Sequence, residues 1–255
     1  MYLLPHLLRA LATRRRVFVT SDPHIGHENI LKYCPSRPWK TIGEMNQAIV
    51  VNWNSVVGPR DTVLVLGDFC LGEKKNSFPF LQQLNGEIHL YSGNHDHNSI
   101  MYFDHKEVGF EGMAKNPERW AKTLVKLQRG KDFFLAYGVH EVLDMGMPEN
   151  VHGIPYQIGP LSLKLHHFPY QGDHKEKDRF ACYRPSDCGN LLLHGHVHDL
   201  WKFNGRMINV GMDVWNYRPV EIRKVVREWW KQASKEDRQL VLNTYCRSEN
   251  VRGNP

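Results

Sequence analysis

The stretch Ile88–Asp96, which reads IHLYSGNHD, is a short apolar run that ends abruptly in polar side chains. Its first five residues have the length and the β-favouring composition of a buried strand. Residues 93–96, Gly-Asn-His-Asp, then follow as a loop. Loops at strand ends are where a rigid scaffold displays functional side chains. We therefore expect this stretch to belong to a sheet that carries a site.

The same pattern, an apolar run followed by a polar loop, recurs along the chain. The strand candidates are Val17–Ser21, Val63–Leu66, Ile88–Ser92, Leu161–Leu165, Leu191–His194 and Met207–Val210. The loops after them contain Asp22-Pro23-His24, Gly67-Asp68, Gly93-Asn94-His95-Asp96, His166-His167-Phe168-Pro169 and His194-Gly195-His196-Val197-His198. Each fragment alone is common in turns. Five of them in order, each ending an apolar run, are not coincidental turns.

Helical patterns separate the early strands. Thr41-Ile42-Gly43-Glu44 fits a capping box, and apolar residues then recur at helical spacing as far as Trp53. The order strand–helix–strand–helix–strand predicts an α/β first half. In the second half, Gly159-Pro160 reads as a turn between two strands. The pattern there predicts antiparallel β-structure, with one sheet stacked on another.

The length of 255 residues suits one domain, which we place at 17–255 after a basic N-terminal extension, 1–16. Residues 100–150 are charge-rich and predict an insertion or cap with a helix around Pro117–Gln128. Residues 219–255 predict a C-terminal helical segment in which Pro219 begins a helix. Its apolar face contains Ile222, Val225, Val226, Trp229 and Trp230.

Composition argues for a cytoplasmic protein that does not enter a membrane. No apolar run reaches about eighteen residues. The five cysteines include no C-x-x-C pair, so we expect reduced thiols. Four of the six net positive charges come from Arg9, Arg14, Arg15 and Arg16. That basic arm is a modest hint of a polyanion partner, against the alternatives of a solvated extension and a short organellar transit peptide.

The loop residues indicate a metal site built from carboxylates and imidazoles. Without thiolates, such ligands suit Mn, Fe, Zn, Co or Ni rather than a cysteine-rich structural zinc site. A zinc finger is excluded by the missing Cys pairs, and a zincin by the missing H-E-x-x-H string.

The five elements D-x-H, G-D, G-N-H-D, a lone His and G-H-x-H resemble the calcineurin-like metallophosphoesterase superfamily, and they span Asp22 to His198. The resemblance implies two stacked mixed β-sheets flanked by helices, in an α/β (α+β) sandwich. It also implies two divalent transition-metal ions, manganese first. Asp22, His24 and His198 would hold one ion, and Asn94, His167 and His196 the other, with Asp68 bridging both. A shared carboxylate is also what two dications about 3.5–4 Å apart require to screen their repulsion.

The remaining site predictions concern the substrate. His95 would protonate or stabilise the leaving oxygen, and Asp96 would orient His95, with a loop-stabilising Asx turn as the alternative. The candidate substrate contacts are Arg179 and Arg184, in the loop Gln171–Arg184, and His27, in the loop after the first strand. The loop Gln171–Arg184 also carries His174 and Lys175. His166, adjacent to His167, would be packed or support the ligands, because neighbours on a strand face opposite ways.

We therefore expect a phosphodiesterase acting on small or nucleotide substrates by in-line attack of a metal-bridging hydroxide. The G-D-x-x-D-R-G string of protein phosphatases is absent: the chain reads Gly-Asp-Phe-Cys-Leu-Gly at 67–72. The motif surroundings look more like small bacterial and phage phosphoesterases. The alternatives are a nuclease of the same superfamily, with nucleic acid a less favoured partner, and a non-enzymatic scaffold. The oligomeric state stays open.

Overall fold

Two five-stranded β-sheets flanked by helices form the part of the chain that the computed structural model describes, residues 15–159, 161–173 and 179–250. The strands are β1 (Val17–Thr20), β2 (Thr62–Val65), β3 (Glu87–Ser92), β4 (Val139–Asp144), β5 (Ile154–Ile158), β6 (Leu161–Leu165), β7 (Leu191–His194), β8 (Phe203–Asn204), β9 (Met207–Asn209) and β10 (Val220–Glu221). The helices are α1 (Ile30–Tyr33), α2 (Ile42–Asn54), α3 (Lys74–Ser77), α4 (Ile100–Phe103), α5 (Gly109–Ala114), α6 (Pro117–Ala136), α7 (Ile222–Gln232) and α8 (Lys235–Asn250). The predicted mixed α/β class is confirmed.

The first sheet has the strand order β10-β1-β2-β3-β4. Strands β1 to β4 are parallel, while β10 pairs antiparallel with β1. Helix α2 lies in the β1–β2 connection and starts with the predicted capping box: the Thr41 hydroxyl accepts from the Glu44 N–H, and the Glu44 carboxylate accepts from the Thr41 N–H. Because the strands are parallel, the loops after β1, β2 and β3 meet at one edge of the sheet.

The second sheet, in the order β5-β6-β7-β9-β8, is mixed rather than antiparallel. Its outer pairs, β5–β6 and β8–β9, are antiparallel, but β6, β7 and β9 run parallel. The prediction of an antiparallel second half was wrong. The long connection after β6 brings the chain back to the edge where β6 begins, so that β7 runs parallel to β6. The mixed sheets implied by the resemblance are confirmed, and the parallel core again places loop ends at one edge.

One hydrophobic cluster joins the two sheets. It contains Val19 and Leu64 from the first sheet and Leu163 and Leu193 from the second. The N–H of Ser21, just after β1, donates to the Val210 carbonyl just after β9 at 3.1 Å. The edges that carry the polar loops are thereby brought together.

A second cluster covers the other face of the first sheet. It contains Met45, Ile49 and Trp53 of α2, packed with Val63 and Phe134. The apolar residues predicted at helical spacing therefore form the buried face of α2, which packs against the sheet.

The stretch 100–150, predicted as an insertion or cap, contains α4 to α6 and then β4, which pairs with β3 in the first sheet. The predicted helix extends to Ala136. The C-terminal helix begins at Ile222 rather than Pro219, because Val220 and Glu221 pair with β1 first. Of its predicted apolar face, Ile222, Val225, Val226 and Trp229 are buried, and Trp230 is partly buried against the same core.

The predicted N-terminal extension lies mostly outside the described residues, which begin at 15. Arg15 and Arg16 form ion pairs with Glu87 and Asp61, respectively. Of the five cysteines, the four whose side chains the structure describes, Cys34, Cys70, Cys182 and Cys188, are free thiols. Among the described residues, none of the helices combines the length and the apolar character that crossing a membrane requires.

Candidate metal centre

All seven predicted ligands lie in loops that directly follow strands, at the edge where the two sheets meet. Asp22 and His24 follow β1, Asp68 follows β2 and Asn94 follows β3. His167 follows β6, and His196 and His198 follow β7. Every one of these side chains is buried. Buried carboxylates and imidazoles in such numbers need partners, so their geometry decides what the site can bind.

The Asp68 carboxylate lies between the two groups of predicted ligands. Its Oδ2 is 3.6 Å from Nε2 of His24 and 3.7 Å from Nε2 of His167. Both separations are too long for direct hydrogen bonds. Two donor atoms that bind one transition-metal ion at about 2.1 Å lie roughly 3–4 Å from each other. The spacing around Asp68 therefore fits an ion on either side of one carboxylate.

Asp22, His24 and His198 offer one set of ligand atoms that all lie within 4.8 Å of one another. His24 Nε2 is 3.8 Å from Asp22 Oδ1. Within the described part of the chain, neither atom has a hydrogen-bond partner, although both are buried. A buried carboxylate oxygen and a buried imidazole nitrogen that face each other without hydrogen bonds fit a cation between them.

Asp22, Asp68 and His167 form the second set within the same limit. His167 Nδ1 lies 2.8 Å from the Leu66 carbonyl, which can only accept, so this nitrogen carries the proton. The other nitrogen, Nε2, is then an acceptor in the neutral ring, and it lies 3.0 Å from Asn94 Oδ1, also an acceptor. Two acceptors facing each other at that distance again fit a cation.

His196 lies beside this second set but contacts a residue the sequence did not single out. Its ring centroid is 5.4 Å from that of His167. Its backbone N–H donates to Asp22 Oδ2 at 2.9 Å. Its Nε2 is 3.3 Å from Asp173 Oδ2. The structure thus brings all seven predicted residues to one place, with His196 directed at a carboxylate from the loop after β6.

The backbone is strained at five of the seven positions. Asp22, His24, Asp68, His196 and His198 have φ between 49° and 70°, the left-handed region that side chains with a Cβ rarely adopt. Each such residue costs on the order of 1–3 kcal/mol and persists where the surrounding structure fixes it, characteristically at functional sites. Strain concentrated on the predicted ligands is independent of their chemistry and supports the same site.

Gly195 allows the loops of the two sheets to touch. A Cβ at this position would collide with the Ser21 hydroxyl and with Asp22 Oδ2. Only a glycine lets the loop after β7 pass the loop after β1 closely enough for His196 and His198 to approach Asp22.

The electrostatics favour a neutral imidazole at His24 and an ionised bridging carboxylate at Asp68. At His198, by contrast, the effect of burial is outweighed by Asp213, which raises the pKa. Burial and nearby His198 lower the pKa of His24 well below its usual range. Burial alone would raise the pKa of Asp68, but His167 and His95 outweigh it and lower this pKa. Burial raises the pKa of Asp22. A neutral imidazole beside an ionised carboxylate is the protonation state that metal binding requires.

The Asp96 carboxylate does not orient His95, which corrects its assignment as a catalytic residue. Its two oxygens accept hydrogen bonds from the backbone N–H groups of Asp68, Phe69 and Gly93, at 2.8, 3.0 and 2.8 Å. It therefore ties the loop after β2 to the loop after β3. The alternative of a loop-stabilising aspartate describes it better.

His95 and His27 line the opening of the centre, as their predicted roles require. The His95 N–H donates to Asp68 Oδ1 at 2.9 Å, and its partly exposed ring lies 5.8 Å from the His24 ring. His27 Nδ1 is 3.1 Å from His24 Nδ1, which leaves His24 Nε2 facing Asp68. Burial and His95 lower the pKa of His27 to about 4. Both rings can meet a molecule that enters from solvent.

The two candidate arginines are held by the protein itself. Arg184 donates to the carbonyls of Pro169, Gly172 and Arg179, and its side chain is only 7% exposed. Its predicted role as a substrate contact stays a prediction, and in this structure these hydrogen bonds hold the loop. Arg179 binds the buried Asp173 carboxylate at 3.0 Å but also borders the opening of the centre. His174 and Lys175 lie outside the described residues.

Sequence reasoning missed three buried charged residues beside the ligands. Asp213 Oδ2 is 3.4 Å from His198 Nδ1. The Asp213 carboxylate also pairs with Arg37, and the Arg37 guanidinium donates to the carbonyls of Asp22 and Pro23. Such partners hold ligand rings in place. Asp213 follows β9, and an acidic residue after a predicted strand is the pattern that could have indicated it. Arg37 and Asp173 lie in loops, and no local pattern marks them.

A cavity of about 470 Å³ opens onto the centre. His24, His95 and His198 line its inner end. The remainder is lined by Ile30, Tyr33, Cys34 and Leu200, and by His27, Arg179 and Asp199. This volume is in the range typical of small-molecule sites.

Relatives of the chain occur in phages and an archaeon. The Gene 66 protein of Mycobacterium phage L5 is 33% identical over 205 residues, which are 77% of this chain and 86% of the phage protein. The Gene 66 protein of Mycobacterium phage D29 is 30% identical over 221 residues, 83% of this chain and 96% of that protein. An uncharacterized protein of Methanocaldococcus jannaschii is 44% identical over 84 residues, 32% of this chain and 47% of the archaeal protein.

A protein of unknown function from Aquifex aeolicus, known from its crystal structure, shares the fold with a TM-score of 0.53. The match covers 84% of this chain and 99% of the Aquifex chain at 24% identity, so it speaks for the fold alone. No protein-family model matches the chain.

Proposed function

The chain belongs to the family of the mycobacteriophage Gene 66 proteins, and we propose that it is a phosphoester hydrolase that uses two divalent transition-metal ions. The ions are manganese first, with Fe, Zn, Ni and Co as alternatives of the same ligand chemistry. In this proposal the two mixed sheets form a calcineurin-like metallophosphoesterase sandwich. The motif order D-x-H, G-D, G-N-H-D, His and G-H-x-H supports this assignment.

The position of Asp68 is the observation that carries the proposal. One of its oxygens faces imidazoles from two separate groups of ligands, at 3.6 and 3.7 Å. Asp22 Oδ1 and His24 Nε2 on one side, and Asn94 Oδ1 and His167 Nε2 on the other, are arranged as acceptors that need a cation. A site for a single ion would not need acceptors on both sides of one carboxylate.

The residues would divide the work between holding metal and handling the substrate. Asp22, His24, His198 and Asp68 would hold one ion, and Asn94, His167, His196 and Asp68 the other. When bound, such a pair of ions supplies Lewis acidity toward the phosphoryl oxygens and lowers the pKa of water. His95, at the opening, would donate a proton to the leaving oxygen. The Asp68 oxygen that accepts a hydrogen bond from the His95 backbone N–H would position the backbone from which that imidazole extends.

Small phosphodiesters are the proposed substrates. The protein-phosphatase string is missing after Asp68. Arg184, a candidate for binding a phosphomonoester dianion, donates to backbone carbonyls. Among the described residues, Arg179 lines the opening of the centre, where it is paired with the Asp173 carboxylate. A diester carries one negative charge fewer and suits this modest positive charge.

The test is hydrolysis of bis(p-nitrophenyl) phosphate and p-nitrophenyl phosphate, side by side, before and after removal of metal. We expect turnover of the diester at least equal to that of the monoester, abolished by chelation and restored by Mn²⁺. Asp68→Asn should abolish it, while Asp132→Asn, an exposed position on α6, should not. No turnover of either ester in metal-loaded protein would refute the proposal, and a clear excess of monoester turnover would refute the substrate class.

A further inference from the structure

The cavity beside the candidate centre has two chemically different ends. At its inner end are the imidazoles of His24, His95 and His198, next to the buried carboxylates. The lining also includes the uncharged side chains of Ile30, Tyr33, Cys34 and Leu200, together with the charged side chains of Arg179 and Asp199. A molecule that fits this cavity would carry an anionic group toward the imidazoles and an apolar face toward Tyr33 and Leu200.

Tyr33 is the most conspicuous of these uncharged side chains. It is 68% exposed, although tyrosine has a large apolar ring, and Leu200 nearby is 55% exposed. The Tyr33 ring meets the His27 ring edge-on at 6.1 Å between centroids. Single exposed apolar residues need no explanation. Two that border the same cavity, one of them aromatic, offer an apolar face on which a planar ring can stack.

The distance between the two ends suits a nucleotide. The His27 ring lies between them, 5.2 Å from the His24 ring and 6.1 Å from the Tyr33 ring. A ribose separates the phosphate of a nucleotide from its base by a gap of this kind. The volume of about 470 Å³ also accommodates a ligand of that size.

We propose that the apolar surface formed by Ile30, Tyr33 and Leu200 binds the base of a nucleoside phosphodiester whose phosphate lies at the candidate metal centre. This inference rests on the proposed function, since the phosphate is placed by that site. The base stacks on the Tyr33 ring, and Leu200 covers it. Recognition by stacking is tolerant of base identity, because every base has a π-face.

The experiment compares two ligands that differ only in the base. Adenosine 5′-monophosphate and ribose 5-phosphate carry the same phosphate and sugar, and calorimetric titration into Mn²⁺-loaded protein gives their dissociation constants. Stacking of one base on an aromatic side chain corresponds to about a tenfold gain in affinity. We expect adenosine 5′-monophosphate to bind about tenfold more tightly than ribose 5-phosphate.

Three variants assign that difference to the surface. In Tyr33→Ala the affinity ratio should fall close to one, and Tyr33→Phe should retain it, because the ring and not the hydroxyl stacks. Leu124→Ala removes an exposed leucine on α6, far along the chain from the cavity, and should leave the ratio unchanged. A ratio that survives in Tyr33→Ala, or that is lost in Tyr33→Phe or Leu124→Ala, would overturn the inference.

Hydrolysis of bis(p-nitrophenyl) phosphate separates failure of this inference from failure of the proposed function. If the diester is hydrolysed but the two ligands bind equally, or neither binds, the base surface is refuted and the hydrolase stands. If the diester is not hydrolysed and neither ligand binds, both proposals fall together.

Discussion

His95 lies at the opening of the candidate centre without belonging to either group of ligands. Its ring is partly exposed, and its backbone N–H contacts Asp68. If it donates a proton to the leaving oxygen, His95→Gln should retain both metals and lower the rate by about 10²–10⁴. The loss should be smallest for a nitrophenolate leaving group, which needs little protonation. Metal analysis and kinetics over leaving groups of different pKa measure this.

The control for His95 is His167→Gln, which should lose metal first and activity as a consequence. An equal loss of rate across the leaving groups would mean that His95 acts on the phosphate charge. Loss of metal in His95→Gln would mean that it is a ligand.

Asp96 shows how a residue beside the centre serves the backbone. Asp96→Ala would leave the buried N–H groups of Asp68, Phe69 and Gly93 without their acceptor, at about 1–3 kcal/mol for each group that finds no substitute. We expect the metal-free variant to lose at least about 2 kcal/mol in its free energy of unfolding, measured by urea denaturation. Unchanged stability with a slower reaction would instead restore Asp96 to an orienting role for His95.

At the same scale, the sequence predicted the ligands but not their supports. Asp22, Asp68 and the histidines are recognisable because each follows a strand in a fixed short string. Asp173 reaches His196 from a loop of irregular backbone, and Arg37 reaches Asp213 across 176 positions of the chain. Such contacts depend on tertiary packing, which leaves no periodic trace in the sequence.

Among the elements, the loop after β7 and the loop after β1 have to touch, and Gly195 permits it. Gly195→Ala would drive a methyl group into Ser21 and Asp22. We expect this variant to bind Mn²⁺ much more weakly and to unfold at a lower urea concentration. Titration with Mn²⁺ and urea denaturation measure both effects.

Gly43 provides the matched control for Gly195. It lies in α2, where an added Cβ would meet no atom within 4 Å. Gly43→Ala should raise the free energy of unfolding by up to about 1 kcal/mol, since alanine favours a helix, and should leave metal binding unchanged. Undiminished metal binding in Gly195→Ala would contradict the close approach of the two loops.

The elements themselves were predictable where their signal is local. The capping box of α2 and the strands before each polar loop were predicted because they depend on neighbouring residues. The direction of β7 relative to β6 was not, because the long loop between them can return the chain to either end of the sheet. The pairing of Val220–Glu221 with β1 was likewise not predictable from neighbouring residues, and because of it α7 begins at Ile222 rather than at Pro219.

In the molecule as a whole, the site exists only where the two sheets meet. The first sheet supplies Asp22, His24, Asp68 and Asn94, and the second supplies the three remaining histidines. The shared hydrophobic cluster and the Ser21–Val210 hydrogen bond hold the two edges together. The motif order could indicate that these residues act together, but only the packing of the sheets shows that Asp68 lies between the two groups.

The central claim is that Asp68 holds two metal ions side by side, and anomalous X-ray diffraction from Mn²⁺-loaded crystals tests it most directly. We predict two anomalous peaks about 3.5–4 Å apart, one on each side of the Asp68 carboxylate. One peak should contact Asp22, His24 and His198, and the other Asn94, His167 and His196. A single peak, peaks remote from Asp68, or none in fully loaded crystals would contradict the account.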